Sequence, residues 1–250
     1  MARGGLQSLY GWLAKNISPE ARLDRHYHMS RSLKIGLEFF RRGLRLLQPR
    51  VYHLSKTRQR PVIVYSDAEW SAIDGTSLVG ARGFSKGLGG ILWADNVVAA
   101  AATDAPDELV DALSFRKTQI LPLELMAAAG MLYSYRHLLE GREVLFFIDN
   151  QSVCCALTKG CSRSWDIQMM STAWHLFCLT IRCHIWIEWV PSGDNPADIL
   201  SRDKKSLFQT TNGEVDTLSL PSWVDLRGTS DISGILDRID ASCGASNGAA

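Results

Sequence analysis

The amino-acid sequence predicts an α/β fold in which a mixed β-sheet carries helices on both faces. Two continuously apolar runs, Val62–Tyr65 and Val144–Ile148, have the length and composition of buried strands. Between them, Ile91–Trp93 and Val97–Ala102 flank the turn Ala94–Asn96 and predict a hairpin. Because strands and helical segments alternate along the chain, parallel and antiparallel strands are expected in one sheet.

Helices and one further strand are predicted after the hairpin. Pro122 is well placed as the first residue of a helix that runs to about Leu139, since a missing N–H costs nothing in the first turn. Residues 151–179 predict helix with an interruption near Gly160, and His184–Val190 predicts a strand rich in Trp and Ile. A loop and a short helix beginning near Asp198 complete this order.

Two stretches are predicted as loops. The residues after Asp67 include several glycines up to Gly89 and Gly90, and Thr103–Lys117 is mostly polar. The first loop is long, so we expect it to lie over, or obstruct, the carboxyl end of the first strand.

Charge divides the 250 residues into three segments. Residues 1–60 carry 13 Lys/Arg against 3 Asp/Glu, residues 61–205 carry 12 against 17, and residues 206–250 carry 2 against 6. We interpret them as a basic helical segment with an amphipathic helix near Ser30–Gln48, a catalytic-sized α/β domain, and an acidic, largely disordered tail. The basic face either holds a polyanion or is simply solvated. No apolar run is long enough for a transmembrane helix, and the irregular cysteine spacing favours an intracellular, reducing compartment.

Four carboxylates occupy positions that predict a two-metal site. Asp67 and Asp149 each follow a predicted strand, Glu124 lies near a helix start, and Asp198 begins the last helix. Parallel neighbouring strands would bring the first two together at the carboxyl edge of the sheet, where like charges require a cation. Oxygen ligands favour Mg²⁺ or Mn²⁺. Taken singly, Asp149 and Asp198 are better interpreted as turn or helix-cap residues, and Glu124 in a first turn is uninformative. The occurrence of all four in this order favours the metal site.

Four short motifs resemble those of the RNase H domain of retroelement reverse transcriptases, including DIRS-type elements. They are Tyr65-Ser66-Asp67-Ala68, Leu123-Glu124-Leu125, Phe147-Ile148-Asp149-Asn150 and Asn195-Pro196-Ala197-Asp198-Ile199-Leu200-Ser201-Arg202. The last motif is the most specific. The resemblance covers about residues 61–205, and residues 30–60 resemble the connection segment that follows the polymerase in such elements.

The resemblance implies an RNase H-like mixed sheet of five strands, three antiparallel and two parallel to the first, flanked by helices. It implies two Mg²⁺ or Mn²⁺ ions, with Asp67 and Asp149 contacting both, Glu124 on the leaving-group side and Asp198 on the water-activating side. The implied reaction is hydrolysis of the RNA strand of an RNA–DNA hybrid, leaving a 5′-phosphate and a 3′-hydroxyl.

Five further residues are candidates for contact with nucleic acid. Ala68, Asn150 and Gln151 are expected near the 2′-hydroxyls of the RNA strand, which distinguish RNA from DNA. Lys159 and Arg163 are expected near phosphates, where contacts position the duplex without reading its sequence. Solvated surface is the alternative for the two cations.

Departures from the family pattern leave other functions open. Asp67-Ala68-Glu69 also fits the opening motif of a related 3′–5′ exonuclease family, in which Glu69 would replace Glu124 as a ligand. Residues 191–197 lack the histidine that many family members carry in this loop, and no YxDD polymerase motif is present. A non-catalytic nucleic-acid-binding module is a further alternative. The sequence leaves the oligomeric state open and suggests a polymerase domain as a partner.

Overall fold

A six-stranded mixed sheet organises the chain. The computed structural model describes residues 31–46, 59–72, 84–202, 213–229 and 232–244. In chain order its helices and strands are α1 (Arg31–Leu46), β1 (Val62–Ala68), β2 (Ser71–Ala72), β3 (Phe84–Ser85), β4 (Gly87–Ala94), β5 (Val97–Asp104), α2 (Asp107–Asp111), α3 (Ile120–Ser134), α4 (Arg136–Leu139), β6 (Glu143–Ile148), α5 (Gln151–Lys159), α6 (Trp165–Thr180), β7 (His184–Trp189), α7 (Asp198–Ser201), β8 (Asp216–Thr217) and α8 (Ile232–Gly244).

The sheet has the order β7-β6-β1-β4-β5-β8. β4 is antiparallel to β1 and β5 is antiparallel to β4, whereas β6 is parallel to β1 and β7 is parallel to β6. These five strands have the directions implied by the sequence resemblance, so the predicted fold class is confirmed. The short strand β8 adds a sixth by pairing parallel to β5, and β2 and β3 form a separate small hairpin.

Helices α3, α5 and α6 cover one face of the sheet. The residues of α3 from Pro122 to Leu132 are all buried, because this helix lies between the sheet and α6. A helix that is apolar all round requires such a position. It begins at Ile120, before the predicted start, and Pro122 lies in its first turn, where proline is tolerated. α7 packs on the opposite face, against β4 and β1.

The prediction of a loop up to Gly90 is wrong at its end, because residues 87–90 belong to β4 in the interior of the sheet. Glycine is unfavourable in strands unless another backbone approaches closely. Here a Cβ added at Gly89 would lie 2.6 Å from Cβ of Leu200 and 2.8 Å from the backbone nitrogen of Ser201, so the glycine makes room for α7. The middle of that predicted loop, residues 73–83, lies outside the described residues.

The predicted loop from Thr103 to Lys117 is also partly structured. Thr103 and Asp104 complete β5, and residues 107–111 form the single turn of α2. Lys86 of the neighbouring chain segment pairs with Asp107 at the start of that turn. The polar composition of this stretch predicted a loop and did not indicate the end of the strand or the short helix.

Two terminal helices pack together on α6. The predicted basic helix is present as α1, and Nη1 of its Arg42 lies 2.6 Å from Asp240 Oδ2 of α8. In the described part of the acidic segment, residues 232–244 form α8. Ile235, Leu236 and Ile239 are buried, because their helical spacing gives α8 an apolar face. The division into three segments remains a prediction, and residues 1–30, 47–58 and 203–212 lie outside the described residues.

Within the described ranges, no helix is both long and apolar enough to span a lipid bilayer.

Candidate metal centre

Three of the four predicted carboxylates converge at one point. Asp67, Glu124 and Asp149 each offer an oxygen, and these oxygens lie within 4.8 Å of one another. Asp67 is at the carboxyl end of β1, and Asp149 directly follows β6. The parallel pairing of Ser66 with Ile148 brings the two aspartates side by side at the edge of the sheet. Glu124 reaches the same point from the second turn of α3, which packs across β1.

Burial makes this arrangement electrostatically costly without a cation. Desolvation, followed by the charges of Asp149 and Asp198, raises the pKa of Asp67 to about 7. Desolvation and then the charges of Asp67 and Asp149 also raise the pKa of Glu124 well above its ordinary range. The three carboxylates can be ionised at the same time only if a positive charge lies close to them.

An unpartnered oxygen in the cluster also fits a metal ion. Glu124 is 3% exposed, and its Oε2 is buried without a hydrogen-bond partner among the described residues. Burying a charged oxygen that lacks a partner is unfavourable, and a divalent cation is a partner of suitable chemistry. The residues present therefore fit Mg²⁺ or Mn²⁺, both of which prefer oxygen ligands.

Asp198 lies beside the three-carboxylate cluster. It is in the first turn of α7, where its charge raises the pKa of Asp67, and its Oδ1 is 2.6 Å from Nε of Arg202. Its carboxylate is therefore an ion-pair partner at the margin of the site. The loop before it, which carries the 3₁₀ turn Ser192–Asp194, leads directly into α7.

Two residues that the sequence interpretation did not assign contact Asp67 directly. The hydroxyl of Ser201 donates to Oδ2 of Asp67, and the amide nitrogen of Asn195 lies 3.5 Å from its Oδ1. Both residues belong to the motif that ends at Arg202. Their place in that motif was the available signal, but a sequence pattern alone does not say that they face Asp67.

Glu69 lies outside the cluster. Its two carboxylate oxygens accept hydrogen bonds from the hydroxyls of Ser71 and Ser85, at 2.8 and 2.7 Å. These contacts join the end of β1 to the β2–β3 hairpin. Glu124 is therefore the glutamate that joins the two aspartates in the described structure.

The candidate nucleic-acid contacts occupy several different environments. Asn150 is the N-cap of α5, and its Oδ1 accepts hydrogen bonds from the backbone nitrogens of the next turn. Gln151, Lys159 and Arg163 are exposed, whereas Ala68 is buried and offers backbone groups rather than side-chain surface. Gln151 begins α5 beside the carboxylate cluster, while Lys159 lies at its far end.

Several solved structures resemble this chain, and two of them are RNase H proteins. No protein-family model and no curated protein matches the sequence. RNase H1 from the halophilic archaeon Halobacterium salinarum NRC-1 is 18% identical, with a TM-score of 0.34, and the match covers 58% of this chain and 99% of that one. The N-terminal RNase H domain of Rv2228c from Mycobacterium tuberculosis, solved as a fusion with maltose-binding protein, is 16% identical, with a TM-score of 0.34 and coverages of 60% and 96%.

Proposed function

We propose that this protein is a metal-dependent endoribonuclease that cleaves the RNA strand of RNA–DNA hybrids by two-metal-ion hydrolysis. The observation that carries the proposal is the convergence of Asp67, Glu124 and Asp149 around the unpartnered Oε2 of Glu124. The choice of hybrid as substrate, and a role as the RNase H part of a retroelement reverse transcriptase, rest on the motif resemblance. A polymerase domain is accordingly a proposed partner.

The proposed metal ligands are Asp67, Glu124, Asp149 and Asp198. Bound Mg²⁺ or Mn²⁺ would lower the pKa of the attacking water and stabilise charge on the leaving oxygen. Asp198 would have to exchange part of its contact with Arg202 for the ion on its side of the site. In this scheme the four carboxylates would serve as ligands, and the proton of the attacking water would pass to solvent rather than to a carboxylate.

The surroundings of the cluster suit a substrate with phosphates and 2′-hydroxyls. Gln151 is exposed at the start of α5, and the amide nitrogen of Asn150 is left for a ligand once its oxygen caps the helix. Hydrogen bonds to 2′-hydroxyls from these residues would select RNA over DNA. Lys159 and Arg163 are exposed cations, and we assign them to phosphate contacts.

A 3′–5′ exonuclease is the less favoured interpretation of the same site. It would require Glu69 as a ligand in place of Glu124, but the carboxylate of Glu69 is engaged by Ser71 and Ser85. The rate of hydrolysis by the wild type should therefore be compared with the rates of Glu69→Gln and Glu124→Gln. We expect Glu124→Gln to lose activity and Glu69→Gln to keep most of it, and the opposite pattern would favour the exonuclease.

Cleavage of an end-labelled RNA–DNA hybrid tests the reaction itself. Wild type and Asp149→Asn would be compared with Mg²⁺, with Mn²⁺ and with EDTA, and double-stranded DNA would serve as the substrate control. Asp194→Asn is a matched control, because this aspartate is exposed and lies outside the carboxylate cluster. We expect internal cuts in RNA that require metal, are lost in Asp149→Asn and persist in Asp194→Asn.

The same experiment separates catalysis from binding alone. Folded protein that binds the hybrid and leaves it intact with either metal would contradict the catalytic proposal and support a non-catalytic binding module. Products with 5′-phosphate and 3′-hydroxyl ends are expected, whereas single nucleotides released from the 3′ end would indicate exonuclease action.

A further inference from the structure

The segment after β7 supplies two hydrogen-bond donors to Asp67. Ser201 Oγ donates to Oδ2 of this carboxylate, and Asn195 Nδ2 lies 3.0 Å from the carbonyl oxygen of Ser66 and 3.5 Å from Asp67 Oδ1. We infer that Asn195 and Ser201 are positioning residues that hold the Asp67 carboxylate in the orientation in which it receives a divalent cation. The inference rests on the proposed metal centre and adds two neutral residues to it.

These contacts leave acceptor positions on Asp67 for a cation. An ionised carboxylate has about four lone-pair positions, two on each oxygen. Ser201 uses one position on Oδ2, and Asn195 approaches one on Oδ1. Each oxygen therefore keeps a second position, so the side chain is fixed without being blocked as a ligand.

Both donors are themselves held in place. Asn195 Oδ1 accepts a hydrogen bond of 3.2 Å from the backbone nitrogen of Ala197, which directs the amide nitrogen towards β1. The Ser201 hydroxyl has a second acceptor at 3.2 Å, the carbonyl oxygen of Asp198. The carboxylate is the stronger acceptor, so the single hydroxyl proton is directed to Asp67. Asn195 and Ser201 are 4% and 1% exposed, and water does not compete freely for either donor.

The position of Ser201 depends on two residues of β4 that lack side chains, Gly87 and Gly89. A Cβ at Gly87 would collide with the carbonyl oxygen of Ser201, and one at Gly89 would lie 2.6 Å from Cβ of Leu200. Gly89 pairs with Asp67 in the antiparallel register. Because these two glycines let the backbone of α7 lie directly on the sheet beside Asp67, the hydroxyl of Ser201 reaches the carboxylate.

One short segment thus connects two of the proposed ligands. Asn195 and Ser201 hold Asp67, and Asp198 lies between them in the chain. The relative placement of Asp67 and Asp198 is then set by hydrogen bonds across the β1–α7 contact rather than by either element alone. Residues that orient metal ligands in this way typically contribute about 10-fold to 100-fold to metal affinity or activity.

Calorimetric titration of the full chain with Mn²⁺, in the absence of nucleic acid, tests the inference. Ser201→Ala and Asn195→Ala are each expected to weaken Mn²⁺ binding by about 10-fold or more. Ser201→Thr keeps the hydroxyl and is expected to bind more tightly than Ser201→Ala. Ser192→Ala is the matched control, because that serine is exposed in the same loop, and it should bind Mn²⁺ like the wild type.

A purely structural role gives a different result. It would lower the unfolding midpoint in EDTA while the folded variant kept its Mn²⁺ affinity, and unchanged affinity in folded Ser201→Ala and Asn195→Ala would overturn the inference. If Ser201→Ala does not fold, Asn195→Ala decides the question in the same titration. A wild type without Mn²⁺ affinity would also overturn it.

Failure of the proposed reaction is recognised separately. A wild type that binds Mn²⁺ but does not cleave the hybrid would remove the ribonuclease proposal, while weaker Mn²⁺ binding by the variants would still support the positioning role. Conversely, metal-dependent cleavage with unchanged affinity in both alanine variants would leave the ribonuclease and remove the positioning role.

Discussion

Removing the charge of Asp67 is expected to stabilise the metal-free protein at neutral pH. Asp67 is 2% exposed, and burial, followed by the charges of Asp149 and Asp198, raises its pKa from 3.8 to about 7. At about 1.36 kcal/mol per pKa unit, this difference corresponds to about 4 kcal/mol. Asp67→Asn keeps the size of the side chain and removes the charge, so at alkaline pH it should recover as much as about 4 kcal/mol of unfolding free energy.

The direction of the pH dependence follows from the same pKa. Because the pKa of Asp67 is higher in the folded protein than in the unfolded chain, the folded protein binds this proton more tightly between pH 3.8 and about 7. The stability linked to Asp67 is fully present below this window and is lost as the pH rises through it. Burial raises the pKa of Glu124 as well, so Glu124 acts in the same direction.

Carboxylates with a lowered pKa act in the opposite direction and at lower pH. Hydrogen bonds from Ser164 and Arg116 outweigh burial and lower the pKa of Asp166 below 3.8. The stability linked to Asp166 is present above its unfolded pKa and is lost only as the pH falls through its folded pKa. Buried His175 also acts in the opposite direction, because burial lowers its pKa from 6.5 to about 4 and its linked stability is lost as the pH falls through this range. The difference between the wild type and Asp67→Asn, both of which keep Asp166 and His175, therefore reports on the carboxylate cluster.

Urea denaturation in EDTA from about pH 5 to about pH 8 measures this effect. The free energy of unfolding of the wild type, measured relative to that of Asp67→Asn, should fall with rising pH, and the exposed Asp194→Asn should follow the wild type. Adding Mg²⁺ or Mn²⁺ should reverse the loss in the wild type, since an ion bound only by the folded state stabilises it. The same pH profile in the wild type and in Asp67→Asn would refute the reasoning.

Three further substitutions test packing around the site. Gly89→Ala should destabilise the fold by about 1–3 kcal/mol and weaken Mn²⁺ binding. Gly193→Ala is the control, because an added Cβ there meets open space, and it should change neither quantity. Denaturation measures the stability, and calorimetric titration measures the Mn²⁺ affinity. Arg116→Ala should cost about 3 kcal/mol in denaturation, because it leaves the fully buried Asp166 without its cation; an unchanged midpoint would contradict this. Trp223→Ala should cost about 3–5 kcal/mol if the fully buried indole anchors the tail, and a loss below about 1 kcal/mol would contradict that anchoring.

The central strands were predictable because their sequence and burial agree. The run ending at Ile148 is continuously apolar, and alternate residues of β6 are buried against the helices. Asp149 follows the strand as predicted, and the parallel register with β1 then requires the two aspartates to be neighbours. Gly160, in a left-handed conformation with φ of 67°, ends α5 where a helix interruption was predicted.

The tail was not predictable from composition. Its charge and its glycine and serine content favour disorder, yet Ile235, Leu236 and Ile239 of α8 are buried. α8 packs on α6, which lies far away in the sequence, and on the turn that contains Trp223. A local composition measure cannot detect a partner surface that the rest of the fold creates.

The glycines of β4 show the same limit at the site itself. In the sequence, Gly87, Gly89 and Gly90 have the composition of a loop, because nothing nearby in the chain explains why a strand would lack side chains. For Gly87 and Gly89 the explanation lies more than a hundred residues later, in the helix carrying Asp198 and Ser201 that needs their space. The carboxylates could be predicted from chemistry because repulsion demands a cation, whereas the groups that orient them depend on how closely two backbones approach. If Gly89→Ala weakened Mn²⁺ binding without altering any ligand, that dependence would be measured directly.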